Sequence, residues 1–198
     1  MMRVKSRWFK AEREKAPEEI AGAVAFIVWK IAQNGLKNLR NADYEVEAGP
    51  KYFDYLGEFL IFLVQIADRI AFEKMDQDAR AAFTTELALR VAGNYAENKG
   101  DLLGLQHAAC KSEFIDRYNE RSDVYAECGY DEEGPDFAFI RYLGHCLLEF
   151  CDERDRSWIV DRIMQIEAPD AVSTVQRAMK GLLDTEASHQ LGSGIGPE

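Results

Sequence analysis

Residues 51–73, KYFDYLGEFLIFLVQIADRIAFE, are the longest apolar segment of the chain, and their reading decides the fold. Pro50 suits the first position of a helix, where its missing N–H costs nothing, and Gly49 breaks the segment before it. At 100° per residue Lys51, Asp54, Glu58, Gln65, Asp68, Arg69 and Glu73 gather on one side, while Phe53, Leu56, Leu60, Leu63, Val64, Ala67, Ile70 and Ala71 cover the rest. The segment is therefore predicted to be a central amphipathic helix with a wide apolar face. Ile61 and Phe62 interrupt its polar side between Glu58 and Gln65, so something must cover that side over its middle turns.

Three arrangements satisfy this demand. A neighbouring helix packs there and supplies an arginine or backbone group to Glu58 and Gln65. Alternatively Asp54, Glu58, Gln65 and Arg69 converge on a polar pocket. In the third, Ile61 and Phe62 form a subunit interface, as exposed apolar patches often do.

Working outward, Pro17 opens a helix over about 18–39 with Ile20, Ala23, Val24, Ile27, Val28 and Ile31 inward, and 40–49 reads as a connection. Asp76 is a candidate N-cap for a helix to Ala96. Lys99, Gly100 and Asp101 read as a break, with Asp101 capping a fourth helix to about Glu127 whose stripe is Leu103, His107, Cys110, Phe114, Tyr118 and Tyr125. Residues 128–135 read as a loop. A fifth helix is predicted over 136–152, with Phe137, Ile140, Leu143, Gly144, Leu147 and Phe150 or Cys151 inward. A sixth starts near Asp155 or Ser157, and Pro169 divides it from a last one. No alternating strand pattern or fixed-period repeat occurs, so the expected architecture is an all-α single-domain bundle of about six or seven helices over residues 16–183. Residues 184–198, rich in Gly and Ser, are expected to be a flexible tail.

The chain has 198 residues, enough for one domain with a substantial core, and its 47% apolar and 30% charged content is that of a globular protein. A net charge of −11 argues against a nucleic-acid-binding face, which needs clustered Lys and Arg. Residues 1–15 reverse the sign, with Arg3, Lys5, Arg7, Lys10, Arg13 and Lys15 against Glu12 and Glu14. This basic segment is expected to dock on the acidic body; Trp8 and Phe9 also give it a weaker membrane-surface reading. Cys110, Cys128, Cys146 and Cys151 form no CxxC pair and sit among apolar residues as free thiols do, which suits a reducing cytoplasm. No signal-peptide pattern or membrane-spanning run is present.

Candidate chemistry is sparse. His107 and Cys110 stand three apart on a predicted helix, close enough to share a metal or to pair base with thiol, but nothing supplies further ligands. His145 and Glu149 are one turn apart and, if they met Glu58, would form a carboxylate and imidazole cluster suited to a divalent metal. Arg117 and Arg121 are placed to hold one anion together, or to pair with acids such as Glu113 and Glu120. No phosphate loop, nucleophile elbow or zinc-finger spacing is found, and no motif calls for a cofactor. The leading expectation is a cytoplasmic, non-catalytic interaction or regulatory module that self-associates; the alternative is a bundle that holds a small ligand or metal in a polar pocket, as a binding protein or an enzyme.

Overall fold

The computed structural model describes residues 15–46 and 49–190, with side chains as far as Asp184. Residues 1–14, which carry nearly all of the basic segment expected to dock or to touch a membrane, lie outside the described residues, as do 191–198. The described residues form an all-α single-domain bundle, 80% helical. Its long helices are Pro17–Asn41 (α1), Pro50–Lys74 (α2), Gln77–Leu103 (α3) and His107–Ala126 (α4), followed by Phe137–Leu148 (α5). Tyr130–Asp131 (β1) and Gly134–Pro135 (β2) pair antiparallel, Tyr130 opposite Pro135 and Asp131 opposite Gly134. Among the described residues no helix is long and apolar enough to cross a membrane.

Helix α2 is the axis of the bundle, packing against α1, α3, α4, α5 and Ala168–Gln190 (α7). Every residue from Tyr55 to Ala67 is buried, so the helix is enclosed on all sides rather than on one face. Gly35 of α1 lets the bundle close: a Cβ there would stand 3.0 Å from the Phe59 ring. Asp76 caps α3 as predicted, accepting the Ala79 N–H at 2.9 Å.

Several boundaries differ from the sequence reading; α5, expected to reach residue 152, ends at Leu148. The break expected at Lys99–Asp101 falls later: α3 runs through Leu103 and ends on Gly104, whose left-handed φ of 68° turns its N–H onto the Gly100 carbonyl. Pro169 does not separate two helices. Ile159–Arg162 (α6), a π-helical turn over Ile163–Glu167 and α7 run on continuously. Proline has no N–H for the carbonyl four residues back, and the wider turn just before it takes up the misfit. Lastly, α7 extends to Gln190, so the first part of the expected tail is helical.

Helix α5 is also rotated from its predicted face. Phe137 is exposed, and Phe139, Leu143, Gly144, Cys146 and Leu147 are the buried set. Asp136 caps this helix, accepting the Phe139 N–H, which makes Phe137 a first-turn residue at the edge of the core.

The interface expectation for Ile61 and Phe62 is overturned. Both have no solvent exposure within the single chain, and the Phe62 ring lies 6.2 Å from Tyr125 and 5.8 Å from Phe139. These residues face the core that α4 and α5 complete, and no surface remains for a partner. Phe62→Ala is accordingly expected to lower stability by about 3–5 kcal/mol, as for a core phenylalanine. Urea unfolding measures it; a loss under about 0.5 kcal/mol would be a surface residue's and would contradict this placement.

Candidate functional site

The polar side of α2 is covered by α4, a helix with few apolar side chains to bury: Cys110, Phe114 and Tyr125 are enclosed, and with them Arg121. Polar contacts therefore do much of the docking. Gln65 donates to Ser122 Oγ at 2.6 Å, and Ser122 in turn donates to the Tyr118 carbonyl. Arg69 reaches past the end of α4 and donates to the carbonyls of Tyr125, Ala126 and Cys128 at 3.0–3.3 Å. A cation at a helix C-terminus satisfies carbonyls that have no intrahelical partner and opposes the negative end of the dipole. Gln65 and Arg69 thus fasten α4 rather than line a pocket.

Glu58 and Arg121 are the centre of this interface. Glu58 has no solvent exposure, and Arg121 bridges both of its carboxylate oxygens at 3.2–3.3 Å. The same guanidinium donates to Glu149, at the end of α5, at 2.9–3.0 Å. One arginine therefore ties three helices. Burial raises the Glu58 pKa, with Arg121 opposing that rise through its hydrogen bonds and charge. Burial also works against the charge of Arg121, but Glu58 outweighs it and its pKa ends up raised.

A second knot lies along the same seam toward Asp54. Arg117 donates to Asp54 at 3.1 Å and to Glu113 at 3.2 Å, and its guanidinium lies 5.2 Å from the Phe150 ring centre. Lys99 of α3, nearly buried, donates to both oxygens of Glu113 at 2.7 and 2.8 Å. Arg117 and Arg121 do not converge on an anion; each is held by carboxylates of its own chain.

The two histidine clusters do not form. His107 is the first residue of α4, half exposed, and its Nε2 lies 2.8 Å from Asp101 while Cys110 is buried. It leaves the apolar stripe because the helix starts there, not at Asp101. His145 is exposed on α5, and Cys146 beside it is the residue turned toward Glu58 and Arg121. Burial, then the Glu58 charge, pushes the Cys146 thiol up to about 12, so it is a poor nucleophile. Among the described residues no group of three or more His, Cys, Asp or Glu is placed to hold a metal ion.

Sequence reasoning missed Lys99, Cys146 and a third buried knot. Glu167 is almost fully buried, accepting from Arg162 Nε at 2.9 Å and Asn38 Nδ2 at 3.2 Å. An acid between Ile166 and Ala168, ahead of an inward row, was its signal. Comparison of the chain with family models, with curated proteins and with solved structures gives no match.

Two substitutions test the central pair. Glu58→Ala, which leaves Arg121 buried with the exposed acids Glu149 and Glu120 alone, is expected to cost about 3 kcal/mol in urea unfolding. Because the folded Glu58 pKa is raised, its contribution to stability is complete below the ordinary carboxylate pKa and is lost as pH rises through the raised value. Wild type should therefore lose stability relative to Glu58→Gln as pH rises above the ordinary carboxylate range. The opposite trend would contradict the burial assigned to this carboxylate.

Proposed function

We propose that this chain is a non-catalytic helical interaction module that presents the outer face of α1 and α3 to a protein partner. The observation that carries the reading is where the reactive and apolar side chains lie. The candidate site residues of α2, Glu58, Gln65 and Arg69, are bound by α4 of the same chain, and Arg117 and Arg121 are held by its own carboxylates. A large aromatic, Phe26, stands 62% exposed on α1 beside an open groove of about 330 Å³ between α1 and α3. Exposed aromatic residues at the rim of a groove are the usual anchors of protein contacts.

One observation favours the pocket reading instead. Arg117 Nη1 is buried without a hydrogen-bond partner, and it lies over Gly57 beside the Tyr95 hydroxyl. A small anion there would satisfy it. Native mass spectrometry of the full chain, purified without chelators, separates the two readings. The expected spectrum holds bare chains or protein complexes; a metal or small molecule at one per chain, lost in Arg117→Gln or Glu58→Gln, would overturn the interaction reading.

A further inference from the structure

Resting on the interaction reading, we infer that the partner for the α1/α3 face is a second copy of this chain, held in a two-fold dimer by reciprocal Arg90–Glu97 pairs around Phe26. Gly22 and Phe26 on α1 and Arg90, Gly93, Asn94 and Glu97 on α3 line the groove. Helices α1 and α3 run the same way, with Gly22 against the Arg90 guanidinium, whose Cζ and Nη1 would stand 3.5 Å from a Cβ at Gly22. One turn further along both helices, Phe26 comes level with Asn94.

The charges on this face complement themselves. Arg90 donates its Nε to Glu86 at 2.6 Å, lies with Nη1 toward Gly22 and remains half exposed. Glu97 is exposed and has no ion-pair partner among the described residues. The level between Gly93 and Asn94 lies midway between Arg90 and Glu97. A two-fold axis lying in the face and crossing α3 at that level runs α3 of the second copy antiparallel over the first. Each Arg90 then meets the other copy's Glu97, and the pair forms twice, as two-fold symmetry requires. At the axis a Cβ on Gly93 would meet nothing within 4 Å, so the two helices can approach closely there. The two Phe26 rings cover each other beside them.

The contact is small. The groove extends roughly 12 Å along each helix at 1.5 Å per residue, short of what a permanent dimer buries. Dimerisation is therefore expected to be reversible, with a Kd of about 1–100 µM.

Sedimentation of the full chain across that range, with circular dichroism to confirm folding, tests the inference. Wild type should pass from monomer to dimer. Phe26→Asp and Arg90→Glu should each raise Kd by about tenfold or more, and the double variant Arg90→Glu, Glu97→Arg should recover most of the loss because the reciprocal pairs are re-formed with signs exchanged. A purely local role of Arg90 with Glu86 predicts no recovery. A wild-type chain that stays monomeric overturns the dimer, and so does a dimer indifferent to all three variants. A monomer in which Lys5 or Lys10 cross-links to Lys30 assigns the groove to residues 1–14 instead, which also overturns it. None of these outcomes touches the interaction reading, which fails only on a stoichiometric metal or small molecule in the native spectrum.

Discussion

A carboxylate with no access to water must find its counter-charge inside the protein, and in this fold Glu58 finds it in Arg121. Removing a charge from water is costly, and in a dry interior a single cation returns that cost only when hydrogen bonds fill the remaining lone pairs. The bundle goes part of the way by bringing α4 down with its arginine aimed at α2, and it ends α5 so that Glu149 takes the guanidinium's other edge; burial still leaves the Glu58 pKa raised. Because α4 buries little apolar surface of its own, its seat on α2 is decided more by these polar contacts than by hydrophobic packing. The position of Arg121 fixes the rotation of α4, the Ser122–Gln65 bond fixes its height, and Arg69 closes its end.

Buried polar groups of this kind favour one arrangement over others that would bury equal apolar area. A helix as apolar as α2 would pack against almost any neighbour, and sliding α4 by a turn would leave its greasy contacts nearly unchanged. Such a slide would strand Glu58, Arg121 and Gln65 together, each unpaired in the interior. The same holds at the other end of the molecule, where Glu167 ties Asn38 of α1 to Arg162 of α6. In each case the specificity of the fold lies with a few charged groups, while the bulk of the burial comes from α2 and its apolar neighbours.

Much of this was legible in the sequence, and the failures have identifiable causes. The extent of α1 and α2, the Asp76 cap and the all-helical architecture followed from periodicity, proline at the first turn and capping chemistry. The demand for a cover over Glu58 and Gln65 was also readable, since Ile61 and Phe62 broke the stripe; what the pattern could not tell was whether that cover came from another chain or from α4. The α3–α4 boundary was misplaced because Lys99–Gly100–Asp101 has the composition of a break. Lys99 nonetheless stays helical by reaching Glu113, and Gly100 is needed within the helix because the His107 ring lies where its Cβ would be, 2.2 Å away. The glycine that stops the helix comes after two leucines, at 104. On α5 an amphipathic pattern with apolar residues at nearly every position, Phe137, Phe139, Ile140 and Leu143 among them, admits more than one inward face, and only the packing against α2 selects between them.

The last helix packs back against the first two, with Val172, Val175 and Met179 of α7 entering the same core as residues of α1 and α2. On the ribosome this has a direct result. The most apolar segment of the chain emerges long before the helix that closes over it, and until residues beyond 168 leave the exit tunnel α1 and α2 have one side open to water. The protein thus completes its core only once α7 has emerged, and nascent chains that stall before α7 would expose the kind of surface that chaperones bind.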